Sequence, residues 1–150
     1  MIDVVYENPY IEIAKACPDC YLASWSAAEF WEIIDELPRN VMLFSKNEEA
    51  TKTICDLNVR IKKVPEHFFF DIQLQAKDEG GFLVSSPTKT MVDCFAFPET
   101  AGGERQVDYI FSIYAESSFY NPSLLLKYAK QLLQPQKVSH ILKLTQGVEK

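Results

Sequence analysis

A chain of 150 residues, 47% of them hydrophobic and 13% aromatic, has the size and composition of one globular domain with a buried core. Against 15 Lys and Arg stand 21 Asp and Glu, a formal net charge of −6, so the field of the whole molecule repels phosphate backbones and disfavours non-specific nucleic-acid binding. No stretch approaches the roughly 20 apolar residues of a membrane helix, and Met1-Ile-Asp-Val-Val-Tyr-Glu7 lacks the basic region and apolar core of a signal peptide, which points to the cytoplasm.

The first element expected is a short helix. Asn8 offers an N-cap, Pro9 suits the first helical position, and Tyr10 to Ala16 continues until Pro18 stops it. After the apolar run Cys20-Tyr-Leu-Ala23 comes Ser26-Ala-Ala-Glu29, which reads as a capping box opening a second helix. Its apolar residues Ala27, Phe30, Trp31, Ile34 and Leu37 recur at steps of three and four, forming one stripe that ends before Pro38.

From Asn40 the period changes. Val41-Met-Leu-Phe44 and Asn58-Val-Arg-Ile-Lys-Lys-Val64 read as strands, and the polar segment Lys46 to Thr53 between them as a loop or a short exposed helix. In Phe68 to Lys77, the clearest strand, Phe70, Ile72, Leu74 and Ala76 alternate with Asp71, Gln73, Gln75 and Lys77, apolar on one face and polar on the other. Asp78-Glu-Gly-Gly81 supplies turn chemistry, and Phe82-Leu-Val84 returns as the hairpin partner.

The last third is helical. Ser86-Pro87 caps a helix through Met91, Val92 and Phe95 that stops near Pro98, and Gly102-Gly103 breaks the chain before a second helix marked by Val107, Ile110, Phe111 and Tyr114. Asn121-Pro122 begins a third, with Leu124, Leu125, Tyr128, Ala129 and Leu132 inward until Pro135, and a short final helix covers Val138 to Leu144. This order predicts one α+β domain over residues 1–150, a small, mostly antiparallel sheet of about four to five strands, with helices from both ends of the chain covering one face.

Candidate chemistry is sparse. Cys17-Pro-Asp-Cys20 has the spacing of half a zinc site or of a redox pair, but no second pair follows and a helix ends where a redox motif begins one, so a helix-ending turn is the better reading. With Cys55 and Cys94 these make four cysteines, too few and too irregular for a disulfide framework, and they read as reduced thiols. Gln75-Ala-Lys77 with Asp56 or Asp71 upstream resembles a degenerate nuclease signature, yet strand alternation already explains these residues as a solvated face. His67 and His140 neighbour no serine, cysteine or acid in the pattern of a triad. Arg60, Lys62 and Lys63 form a small basic cluster on one strand, an edge strand by its charges, and Arg105 opens a helix; a contact with an acidic partner or a phosphate is the functional reading, solvated surface the plain one.

Two ordered segments carry a resemblance. Tyr21-Leu-Ala-Ser-Trp-Ser-Ala-Ala-Glu-Phe-Trp31, with Ser26-Ala27 opening a helix after a short strand, and Val84-Ser-Ser-Pro-Thr-Lys-Thr-Met-Val-Asp-Cys94, with Pro87, Thr90 and Asp93, are similar to segments of the AbiEi antitoxin family of type IV toxin–antitoxin systems. Pro98, Gly102-Gly103 and the leucine-rich Leu124 to Ala129 follow in the family's order, so the resemblance spans residues 21–144. Thr90 and Asp93 also have a structural reading, bonding backbone donors near a helix N-terminus or favouring its dipole. The chain departs from the family at its end, reading Lys137-Val-Ser-His-Ile-Leu142 where a basic residue followed by Leu-Gly is usual.

The resemblance implies a non-enzymatic antitoxin or antitoxin-derived regulator that opposes a nucleotidyltransferase-like toxin in phage defence, with no cofactor, no metal and no catalytic residue. It corresponds to the family's C-terminal domain alone. Fewer than 25 residues precede Tyr21, too few for the winged helix-turn-helix by which family members repress their operon, so direct DNA binding is not expected of this chain. Two other readings stand beside it: a regulator fragment whose DNA-binding half lies elsewhere, and a defence-linked nuclease or metal protein built on Gln75 and Lys77 or on Cys17 and Cys20.

Overall fold

Three helices begin with the same device, a polar side chain accepting a backbone donor just ahead of a proline. Asn8 accepts from the amide of Tyr10, Ser86 from that of Lys89 and Asn121 from that of Leu124, at 3.1, 3.2 and 3.1 Å. They open α1 (Pro9–Ala16), α3 (Pro87–Ala96) and α5 (Pro122–Leu132), as the sequence predicts. The computed structural model describes residues 8–35 and 40–148. Between and after these helices lie α2 (Ser24–Phe30), α4 (Glu104–Glu116) and α6 (Pro135–Val148).

The fold is α+β. The strands are β1 (Cys20–Leu22), β2 (Val41–Ser45), β3 (Ala50–Ile54), β4 (Leu57–Lys63), β5 (Ile72–Gln75) and β6 (Phe82–Ser85), joined in one sheet of order β3-β4-β2-β1-β6-β5. The hairpin of β5 and β6 is antiparallel, with Gln75 opposite Phe82, as expected. However, six strands replace the four to five predicted, and the sheet is mixed: β2 runs parallel to β4, and β1 parallel to β6.

The extra strand is β3. Lys46 to Thr53 looks like a loop because it is polar, but Ala50–Ile54 pairs antiparallel with β4 at the rim of the sheet, where polar side chains remain solvated. Conversely, the alternating run from Phe68 yields only four paired residues. Phe68 closes a 3-10 turn, Asp71 takes a left-handed φ of 54°, and Ala76 at φ 53° ends the strand. Gly80 and Gly81, at φ 114° and 83°, complete the turn; a Cβ on Gly81 would lie 2.8 Å from the Leu74 side chain.

Helix α2 also departs from expectation. Ser26 does not cap it: the helix starts at Ser24, and the Ser26 hydroxyl instead accepts the amide of Met42 in β2 at 2.8 Å. It ends at Phe30, because Glu32 turns left-handed at φ 60° and the amides of Glu32 and Ile33 return to the carbonyls of Glu29 and Ala28, both at 2.9 Å, in a Schellman closure. Ile33 and Ile34 are nonetheless buried, while Leu37 and Pro38 lie outside the described residues. At the far end, α6 begins at Pro135 rather than near Val138, with proline again in the first turn.

Apolar residues back both faces of the sheet, not one. Alternation along β1 sends Leu22 to a cluster with Ile11 and Ile13 of α1 and with Leu43, Ile61 and Val84. Tyr21 and Ala23 point the other way, to Met42, Phe44, Val64 and Phe68 with Phe97 and Leu132 packed against them. A third cluster joins the helices through Ile33, Val92, Ile110, Phe111, Leu125 and Ile141. Among the described residues, no helix is long and apolar enough to cross a membrane.

Candidate functional site

The two segments that carry the resemblance meet where β1, α2, β6 and α3 join. Ser26 holds β2 as described, and Ala27 is fully buried against Leu22 and Val84. Pro87 occupies the first turn of α3. The Thr90 hydroxyl lies 2.6 Å from the Ser85 hydroxyl and 3.3 Å from the Ser85 carbonyl, which binds the helix to the strand before it. Gly102, at φ 89°, sits where a Cβ would come within 3.0 Å of the Trp25 ring. Gly103, at φ 103°, is the N-cap residue of α4.

Asp93 does not serve the backbone of its own helix. Its carboxylate receives Lys89 Nζ at 2.7 Å on Oδ1 and the hydroxyl of Tyr21 at 2.9 Å on Oδ2, and Lys89 Nζ also donates to Tyr21 at 3.1 Å. All three side chains are completely buried. The ammonium also lies 5.2, 5.5 and 5.2 Å from the ring centres of Tyr21, Phe68 and Phe70, an aromatic cage filled by the chain's own lysine. Burial pushes Asp93 up to about 6 and pulls Lys89 below its ordinary range, and each charge restrains the other's shift. Burial and the neighbouring carboxylate of Asp93 drive Tyr21 far above the usual phenol range.

Asp71 extends this network outward. Its Oδ2 accepts the hydroxyls of Ser86 and Tyr128 at 2.5 and 2.9 Å, and its carbonyl accepts the amide of Ser86 at 3.0 Å. That arrangement explains the left-handed backbone at Asp71 and ties the Phe68–Phe70 segment to both α3 and α5. Neither Lys89 nor Tyr21 stands out in the sequence. The available signal is the four-residue spacing of Lys89 and Asp93 inside an otherwise uncharged helix.

The other candidates are dispersed. Asp56 lies in the turn between β3 and β4 at one rim of the sheet, whereas Gln75 and Lys77 belong to the opposite rim; Asp71 directly precedes their strand, with its carboxylate on Ser86 and Tyr128. Gln75 bonds Gln73 at 3.3 Å, on the strand's own surface. Cys17 and Cys20 are buried at the end of α1 and the start of β1; burial raises the Cys17 thiol and pushes Cys20 up to about 12. No disulfide joins the four cysteines. Among the described residues, no three His, Cys, Asp or Glu side chains gather to hold a metal ion.

The basic cluster lies on an interior strand rather than an edge, because β3 covers β4. Lys62 pairs with Glu99 at 3.4 Å and sits 5.0 Å above the Phe97 ring, while Lys63 follows on the opposite face. Arg60 is half-buried, and Arg105 is exposed in the first turn of α4. His67 is exposed beside Phe68. His140 bonds Asp108 at 2.8 Å, a pairing of helices 32 positions apart that spacing does not reveal.

That pair borders an opening of the surface. Between the end of α3, the start of α4 and the start of α6 lies a cleft of about 380 Å³, with Phe95, Pro98 and Val107 as its apolar floor and Glu104, Asp108, Lys137 and His140 around it. Sequence reasoning misses it because its walls come from three helices. No protein-family model matches the chain, and neither does any curated protein.

Proposed function

We propose that this chain is the contact-making C-terminal domain of an AbiEi-like antitoxin of a type IV toxin–antitoxin system. It opposes a nucleotidyltransferase-like toxin by binding the toxin or a component of its pathway, and it catalyses nothing itself. The observation that supports this reading is the internal use of the polar motif residues. Ser26 bonds the buried Met42 amide of β2, and Thr90 and Asp93 bond buried partners in β6 and α3, so they act as framework. A protein whose shared residues build a scaffold acts through the surface that scaffold presents.

The charge balance supports the same reading against nucleic acid. At −6 the chain repels phosphate backbones, and one member of its small basic cluster, Lys62, is already paired with Glu99. The proposal requires a nucleotidyltransferase-like toxin encoded beside this chain, and co-expression with that toxin tests it. Growth should be restored by this chain and not by a frame-shifted copy; undiminished toxicity at equal expression overturns it.

A further inference from the structure

The cleft between α3, α4 and α6 has an apolar floor and a rim whose charges are unequally engaged. Lys137 supplies its ammonium, but that group donates to the carbonyls of Phe95 and Ala96 at 2.7 and 3.1 Å, the orphan acceptors at the negative end of α3. Opposite it, Glu104 and Asp108 stand one turn apart on α4 and project from the same side of that helix. Glu104 is exposed and makes no ion pair among the described residues, and Asp108 receives His140 on Oδ1 only, which leaves Oδ2 open. Two carboxylates face one ammonium that is already held by helix carbonyls, an excess of acidic side chains over lysine at the rim.

We infer that this cleft receives an arginine side chain from a basic segment of the protein partner, its methylene stem on Pro98 and the edge of Phe95 and its guanidinium between Glu104 and Asp108. The inference rests on the contact-making function proposed above. Arginine matches the site on two counts: the planar fork bonds two carboxylates at once, and its weakly hydrated head and apolar stem suit a floor of aromatic and aliphatic carbon. An anion meets the opposite situation, two carboxylates and an ammonium engaged elsewhere.

The test uses the whole chain, ¹⁵N-labelled and titrated with N-acetyl-arginine methylamide. Saturable shifts at Phe95, Val107, Asp108 and His140 are expected, abolished in Glu104→Gln/Asp108→Asn. The same titration with N-acetyl-norleucine methylamide or inorganic phosphate should leave these signals in place. Equal shifts with norleucine, shifts with phosphate instead, or shifts only elsewhere overturn the inference. Glu104→Gln alone, at an exposed position, gives the same reading with no bond lost and should weaken the arginine probe at least fivefold.

A second arm separates this inference from the function on which it rests. In the co-expression assay the double variant, present at equal level, should need at least tenfold more expression than the unaltered chain to restore growth. If both restore growth equally, the cleft assignment falls and the proposed function stands. If the unaltered chain fails to restore growth, the proposed function falls and the titration alone decides the cleft.

Discussion

The hydroxyl of Tyr21 and the carboxylate of Asp93, separated by 72 positions in sequence, meet at 2.9 Å in the core, with Lys89 Nζ within 3.1 Å of both. A buried ion pair contributes little net stability, because desolvating both charges offsets their attraction, but removing one partner strands the other. Lys89→Met should therefore destabilise the chain by roughly 3–5 kcal/mol. Asp93→Asn leaves the ammonium without its counter-charge but removes the cost of burying a carboxylate, so its loss should be smaller. The double variant should be more stable than the sum of the two losses predicts, by at least about 1 kcal/mol. Urea unfolding of the four proteins measures this cycle, and strict additivity would show that the three groups do not act as a unit.

The same network sets a pH dependence. Burial raises Asp93 from 3.8 to about 6 in the folded chain, so between these values the folded state holds a proton that the unfolded state has released. The stability this group contributes is fully present below pH 3.8 and is lost as pH rises through about 6. Compared with Asp93→Asn, whose side chain does not titrate, the unaltered protein should lose on the order of 3 kcal/mol across that window. A difference between the two proteins that stays flat with pH, or that grows in the opposite direction, would contradict the assignment.

Glu32 closes α2 in a conformation that suits glycine. Its φ of 60° places a Cβ-bearing residue in the left-handed region, while the Schellman bonds of Glu32 and Ile33 hold it there. The side chain is exposed and forms no ion pair among the described residues. Glu32→Gly should raise stability by up to about 1 kcal/mol, the relief of left-handed strain exceeding the entropy that glycine adds to the unfolded chain. Thermal unfolding at pH 7 measures it, and a fall in midpoint would mean that Glu32 has a role its surroundings do not display.

Glu32 also illustrates what sequence can and cannot display. Proline-led helix starts were legible at Pro9, Pro87 and Pro122 because cap and ring geometry are local. The end of α2 was not, since a glutamate occupies the position where glycine announces a Schellman closure and Ile33 and Ile34 keep the helical spacing of the stripe after the helix has stopped. Strand β3 was hidden by its rim position, and the parallel pairings β2–β4 and β1–β6 by their long-range origin. Of the candidate site, Asp93 was visible through its motif, whereas its partner Tyr21 and the cleft walls of α4 and α6 come together only in the tertiary fold.

The cysteines give a last prediction that bears on metal and redox chemistry at Cys17 and Cys20. A thiol pushed to about 12, as burial does to Cys20 and Cys94, holds roughly four orders of magnitude less thiolate than thiol near pH 8, and burial blocks approach as well. Cys17 is raised in the same direction and is 2% exposed. Cys55, in the turn between β3 and β4, is the partly exposed one of the four. A disulfide-exchange reagent at pH 8 should therefore modify about one thiol per native chain quickly. The remainder should react only as fast as the chain unfolds, and all should react in denaturant. Rapid native modification of Cys17 or Cys20, or a zinc ion that remains with the chain through dialysis and is lost in Cys17→Ser, would restore the metal or redox reading of this pair.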